Sequence, residues 1–290
     1  MAPMTELDPF YEDVQAHYDL SNDFFDLFLD PSRMYSCAYF EEDDYTLEQA
    51  QYAKIDLSLG KLGLEPGMTL LDVGCGWGTT IKRAMETYDV NVIGLTLSKN
   101  QYELVNASLA EATPEGRTAE VRLQGWEEFD QPVDRIVSIG AFEHFRAERY
   151  PQFFEKTYNL LPADGRMLLH TIVAFNRHVI REKGLPITRE VLQFARFIAN
   201  EIFPGGQLPE PHDVERESTA AGFTVEKIQP LQQHYARTLD IWAAALEKRR
   251  EDAIRIASED VYNTYIHYLT GCADYFRNGY IDVMQFTLAK

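Results

Sequence analysis

Cysteine is scarce in this chain: Cys37, Cys75 and Cys272 are odd in number and far apart, which excludes a disulfide framework. Cationic residues are short as well, with 27 Lys and Arg against 46 Asp and Glu and a formal charge of −19. That balance excludes a nucleic-acid partner, because such a binder must neutralise phosphates with clustered Lys and Arg. No apolar run approaches the length of a bilayer span, and the first residues show no basic segment followed by an apolar one. The expectation is a cytoplasmic protein with no transmembrane segment. Seven histidines lie scattered without H-E-x-x-H or C-x-x-C spacing, so no metal site is expected. Gly/Ser/Pro linkers, repeats and low-complexity segments are also missing. With 45% hydrophobic residues the chain can bury one large core, and a single domain over 1–290 is expected.

What is present is a glycine-rich turn of a particular kind. The apolar run Leu70-Leu71-Asp72-Val73 leads straight into Gly74, Gly76 and Gly78. Glycines there let the backbone turn sharply and approach a ligand, while the helix that follows offers unpaired N–H groups. A dinucleotide fingerprint reads G-x-G-x-x-G; here the third glycine comes one residue early, which speaks against a nucleotide-dependent oxidoreductase. The pattern resembles motif I of the Rossmann-like methyltransferases, whose cofactor, S-adenosylmethionine, has no pyrophosphate to cradle.

Apolar runs and amphipathic stretches alternate on either side of that turn. Strands are predicted at 68–73, 90–95, 120–123, 133–139, 165–173 and 223–228, with helices at 79–88, 98–112 and 147–160. The β-α-β-α order indicates an α/β fold with a mostly parallel sheet and its ligands at the carboxyl ends of the strands. Three stretches fall outside the alternation: an aromatic-rich 10–29, a striped 187–203 and a helical pattern over 239–269. They either complete the core or roof a pocket.

Long motifs carry a wider resemblance: HYDLSNDFF (17–25), YSCAYF (35–40), LDVGCGWG (71–78), GLTLSKNQ (94–101), DRIVSIGAFEHF (134–145), LPADGRMLLHTI (161–172), EIFPGGQLP (201–209), TGCADYF (270–276) and YIDVMQFTL (280–288). Together they resemble the cyclopropane mycolic acid synthases over nearly the whole chain. The resemblance implies a Rossmann-like class I fold with a seven-stranded sheet. A helical lid is expected over 1–60, and helical insertions at 174–215 and 237–275 would cover an acyl channel. It implies S-adenosylmethionine contacts from Tyr35, Ser36, Asp72, Gly74, Gly76, Gly78, Thr96, Gln101, Trp126 and Glu127. Thr96 stands where many methyltransferases carry an acidic residue for the ribose; Thr96 and Gln101 can supply hydrogen bonds instead.

The implied reaction adds a methyl group to an isolated alkene, a poor nucleophile, in a dry pocket that supplies proximity and orientation. The carbocation so formed needs protection from water, and aromatic faces stabilise it. Tyr18, Tyr35, Trp77, Phe142 and Phe145 are candidates, with Tyr18, Phe142 and Phe197 expected in the substrate channel. Ring closure needs a base, and no residue announces itself. The resemblance implies a bound bicarbonate or carbonate ion held by Cys37, Glu143, His170 and Tyr235, with Cys272 in the TGCADYF motif as a further site residue. On position alone Glu143, after the fourth strand, is the most suggestive; His170, Tyr235 and Cys37 otherwise read as core residues, and Cys272 lacks an obvious activating base.

The resemblance leaves the product open between a cyclopropane and a methyl-branched alcohol. Hydroxylating relatives carry glutamate where this chain has Gly140, which favours cyclopropanation. Cyclopropanation of phospholipid acyl chains is disfavoured because the extra N-terminal domain of those enzymes is not in this sequence. The expected substrate is a long unsaturated meromycolyl chain on acyl carrier protein, docked through Arg177, His178, Arg181, Lys183 and Arg189 or through Lys248, Arg249 and Arg250. A non-catalytic binding protein is the reading from another class.

Overall fold

β1 (Thr69–Val73) lies at the middle of a sheet because Leu70, Leu71 and Val73 give it apolar side chains on both faces. The computed structural model describes Pro9 and residues 22–290. In it β1 pairs in parallel with β2 (Asn91–Thr96) on one side and β4 (Arg135–Ile139) on the other. β3 (Ala119–Leu123) extends the sheet beyond β2, and β5 (Arg166–Ala174) beyond β4, both in parallel register. β6 (Thr224–Pro230) forms the far edge, and β7 (Ile281–Ala289) inserts antiparallel between β5 and β6, giving the order β3-β2-β1-β4-β5-β7-β6. Strand order reverses between β1 and β4, where the diverging connections leave a crevice at the strand ends.

Helices cover both faces. α1 (Leu47–Leu59), α2 (Thr79–Tyr88) and α3 (Lys99–Ala112) bury Ile55, Leu59, Ile81, Met85, Val105 and Leu109 against Leu70, Val92, Val137 and Leu168. α1 is started by a reciprocal cap: the Thr46 hydroxyl accepts from the Gln49 N–H at 3.2 Å, and Gln49 Oε1 accepts from the Thr46 N–H at 2.8 Å. On the opposite face α4 (Tyr150–Leu160) packs Phe153 and Phe154 against Ile136 and Leu169.

Beyond β5 come α5 (Arg177–Glu182), α6 (Arg189–Phe197) with a π turn over Ile198–Ile202, and α7 (Pro211–Ala221). α8 (Gln232–Lys248), α9 (Arg250–Ile256) and α10 (Glu259–Asn278) follow β6. A third apolar cluster lies among these, where Trp242, Leu239, Leu269 and Phe276 meet Phe24, Phe25 and Phe28.

Several expected boundaries move. The helix expected over 147–160 opens with a 3₁₀ turn, Ala147–Arg149, and becomes α-helical at Tyr150, just before Pro151. The pattern over 239–269 resolves into three helices, because Arg249 leaves helical geometry and Ser258 is extended, its hydroxyl accepting from the Val261 N–H at 3.1 Å. The insertion limits at 215 and 237 fall inside α7 and α8. Of the stretch 10–29, residues 10–21, Tyr18 among them, lie outside the described residues; beyond them stands a single helical turn, Asn22–Phe25.

Candidate active site

The end of β1 turns because Gly74 takes φ +84°, and a Cβ there would stand 2.4 Å from the Ala141 Cβ. Above this turn is a niche lined by Tyr35, Ser36, Asp72, Gly74, Gly76, Thr96, Gln101, Trp126 and Glu127, all expected at the cofactor. Gly78 is the exception. It opens α2 at φ +78°, and a Cβ there would press within 2.5 Å of the Val105 Cγ1, so its absence of side chain serves α2–α3 packing and not the niche. The Thr96 hydroxyl donates to Gln101 Oε1 at 2.8 Å and accepts from the Ser98 N–H, which orients the Gln101 amide. Glu127 pairs with Arg149 at 3.0 Å, and the Trp126 Nε1–H is buried with no partner among the described residues. Trp77 and Phe145 also line this niche, with Arg33 5.4 Å over the Trp77 ring.

Four of the niche's residues, Tyr35, Ser36, Gly140 and His144, also line a second, mostly apolar cavity of about 300 Å³. Cys37, Glu143, His170, Tyr235 and Cys272 all line it, although they come from five separate stretches of chain. Glu143 and His170 are close because β5 carries both anchors: Glu143 Oε1 accepts from the Ile172 N–H at 2.7 Å, and Ile172 shares a sheet face with His170 two residues earlier. Glu143 Oε2 and His170 Nε2 are buried and have no hydrogen-bond partner among the described residues. Burial raises the Glu143 carboxyl, partly offset by the Ile172 and Glu143 N–H groups and the Thr171 hydroxyl, and holds His170 well below its ordinary value, so the imidazole is neutral. The Cys37 and Cys272 thiols and the Tyr235 phenol are all pushed up by burial.

The expected channel residues fare less well. Phe142 is fully buried beneath the sheet, its ring stacked on Tyr150 at 4.3 Å, and does not reach the cavity. Phe197 packs on the His267 ring at 4.6 Å, one helix face away from the lining, which α6 and its π turn supply through Phe194, Ala195, Ile198 and Ala199. The aromatic walls are Phe194, Phe203, Tyr235, Tyr268, Tyr275 and Phe276. Sequence spacing had no means of separating these rings from ordinary core aromatics.

One polar element beneath the site escapes the sequence reading altogether. The inner face of α1 presents Gln51, Lys54 and Ser58, and Lys61, two residues past its end, continues the polar stripe at helical spacing. Gln51 donates to the Ser36 carbonyl at 3.0 Å, and Lys54, fully buried, donates to the Ser36 hydroxyl at 2.9 Å, beneath the wall shared by niche and cavity. Burial lowers Lys54 to about 8 and raises Asp72 to about 7, each restrained by the other's charge. The available signal was the stripe itself, polar residues three and four apart on a helix whose neighbours Ile55 and Leu59 are core.

Known proteins share this architecture throughout. A profile of the mycolic acid cyclopropane synthetase family matches residues 5–286. The S-adenosylmethionine-dependent methyltransferase UmaA of Mycobacterium tuberculosis is 60% identical, over 99% of this chain and all of its own. Cyclopropane mycolic acid synthase 1 of the same organism is 61% identical, over 98% of this chain and 99% of its own. The structure of the cyclopropane synthase MmaA2 from M. tuberculosis superposes with a TM-score of 0.96 at 60% identity, covering 99% of this chain and 100% of that one. Identity at this level, from end to end and on one backbone, leaves a single assignment: the chain belongs to the mycolic acid cyclopropane synthetase family and is an S-adenosylmethionine-dependent methyltransferase.

Proposed function

We propose that the protein is a cytoplasmic enzyme that converts a double bond of a long, mycolic-type unsaturated acyl chain into a cyclopropane, with bound bicarbonate or carbonate as the base. The observation that carries the reading is that Glu143 and His170 both line an apolar cavity that otherwise suits hydrocarbon, while Glu143 Oε2 and His170 Nε2 are buried with no hydrogen-bond partner among the described residues. S-adenosylmethionine, when bound, supplies an electrophilic methyl group. Tyr35, Thr96, Gln101, Trp126 and the Gly74 turn would hold it; the free Trp126 N–H and the open turn fit a ligand without a pyrophosphate.

The chain's own residues do the rest. The rings of Tyr235, Tyr268 and Phe203 exclude water and present π faces to an electron-deficient carbon. A buried acceptor at Glu143 beside a buried donor at His170 suits a small oxyanion that carries one proton: Glu143 shares that proton, while His170 and the Tyr235 hydroxyl donate to the other oxygens. Gly140, at φ +68°, brings no side chain to position water at the shared wall, which supports ring closure over alcohol formation. The cavity volume is at the lower end for ligand pockets, roughly 300–1,000 Å³, so it encloses the reacting segment of a long chain and not its whole length.

Delivery on an acidic acyl carrier protein completes the proposal. Of the two basic clusters, the second has both its arginines paired: Arg249 with Asp252 at 2.8 Å and Arg250 with Glu259 at 2.6 Å. In the first, His178 pairs with Glu182 and Lys183 sits on the Phe175 ring, while Arg177, Arg181 and Arg189 are exposed alongside Arg196 on α6, the helix that walls the cavity.

Incubation with methyl-labelled S-adenosylmethionine, bicarbonate and an unsaturated acyl carrier protein, followed by mass spectrometry of the lipid, tests the reading. A gain of CH₂ with loss of the alkene is expected. A gain of CH₂ plus water would make the enzyme hydroxylating, and no transfer would leave a binding role.

A further inference from the structure

His170, Gln285 and Gln229 form one row across three strands, since His170 faces Gln285 in the β5–β7 register and Gln285 faces Gln229 in the β6–β7 register. Lys61, just past α1, closes this row: its ammonium donates to Gln285 Oε1, and to Gln229 Oε1 at 2.7 Å. Hydrogen-bond accounting then fixes every proton. An ammonium has no acceptor, so the Gln285 oxygen must face Lys61 and its NH₂ must face the other way. One of those N–H groups meets Ser58 Oγ at 3.0 Å, which can only accept, because the Ser58 proton is given to the Lys54 carbonyl at 2.7 Å. The second meets His170 Nδ1 at 3.2 Å. Nδ1 therefore accepts, the ring proton sits on Nε2, and Nε2 is the buried nitrogen with no protein partner on a residue that lines the cavity.

We propose that Lys61 and Gln285 are positioning residues that lock His170 as its Nε2–H tautomer, so that the imidazole offers the cavity a hydrogen-bond donor and never a competing base. The selection matters for the chemistry assigned to the cavity, and the proposal rests on reading that cavity as the reaction chamber. A His170 lone pair turned inward would repel an oxyanion and would itself remove protons from an activated chain. The opposite tautomer supplies a neutral donor that strengthens anion binding without adding charge.

The test uses the full-length protein with isotopically labelled histidine nitrogens and long-range proton–nitrogen correlation near neutral pH; His170→Gln identifies the His170 signals by their loss. The wild type should show Nε2 protonated and Nδ1 bare. In Gln285→Glu the carboxylate offers no donor and draws the proton onto Nδ1, while its pairing with Lys61 preserves the fold. Lys61→Met leaves the amide held by Ser58 alone and should populate both tautomers, and Lys61→Arg should restore the single one. Turnover in Gln285→Glu should fall on the order of 10-fold to 100-fold in kcat, with KM nearly unchanged, as for other residues that orient a functional histidine. A wild-type His170 protonated on Nδ1 would overturn the assignment, and His170 signals unaltered by Gln285→Glu or Lys61→Met would overturn the lock. The tautomer needs no substrate to be read, so its failure is separable from failure of the reaction, which the product mass decides.

Discussion

Glu143 and Cys272 line one cavity and are expected to behave oppositely. Glu143→Gln keeps an oxygen to accept the Ile172 N–H but removes the shareable proton, so kcat should fall by roughly 10²- to 10⁴-fold with little change in melting temperature. Cys272 is buried, and burial alone pushes its thiol up with no neighbouring charge to offset it. A thiolate nucleophile is not supported there; Cys272→Ala should keep turnover within a few fold in a steady-state assay. Asp72 ties the site to stability. Folded, it holds its proton to about pH 7 against an ordinary 3.8, so between those values the folded state binds more protons than the unfolded one and stability falls as pH rises. Asp72→Asn lacks that contribution: in urea unfolding the variant should gain stability on the wild type as the pH is raised from about 5 to about 7.5.

Among the elements, the parallel strands are legible because the inner ones are mostly apolar runs and the edge strand β3 alternates Ala-Glu-Val-Arg-Leu, all bounded by turn residues. β7 is not, since Asp282, Gln285 and Thr287 interrupt it; these are buried all the same, and Gln285 is satisfied by the Lys61–Ser58–His170 network that only the folded sheet assembles. Only the family resemblance anticipated a seventh strand. The cavity was illegible for a related reason, because Cys37, Glu143, His170 and Tyr235 meet through topology and no spacing relates them. Phe142 and Phe197 show the converse error: aromatics beside a site motif or on an amphipathic stripe turn to whichever side packing demands, and theirs faces away from the cavity. Gly271 on α10 illustrates how closely that packing is set. A Cβ there would stand 2.2 Å from the Phe194 ring, a cavity wall on α6. Gly271→Ala should gain up to about 1 kcal/mol in helix propensity and spend it on displacing the ring. The expected result is a KM for acyl substrate raised several-fold with kcat and melting temperature nearly unchanged, read by steady-state kinetics and calorimetry.

Across the whole molecule, a charge of −19 opposes an acidic carrier, and only a local patch can reverse that. Arg177→Glu combined with Arg181→Glu should raise KM for carrier-linked substrate roughly tenfold and flatten its dependence on salt, while turnover of a free acyl thioester stays as it was. No helix among the described residues is long and apolar enough to cross a membrane.

Tyr35, Ser36, Gly140 and His144 line both compartments and so make them neighbours. A single molecule that joins an adenosine-like head to an alkyl tail around Gly140 would occupy both at once. Once the head is seated, the tail meets its own chamber at an effective concentration in the millimolar range, so two weak fragments become one tight inhibitor without any new contact. Under the proposed function the same shared lining that brings a methyl donor next to the acyl chain is what exposes the enzyme to a tethered ligand.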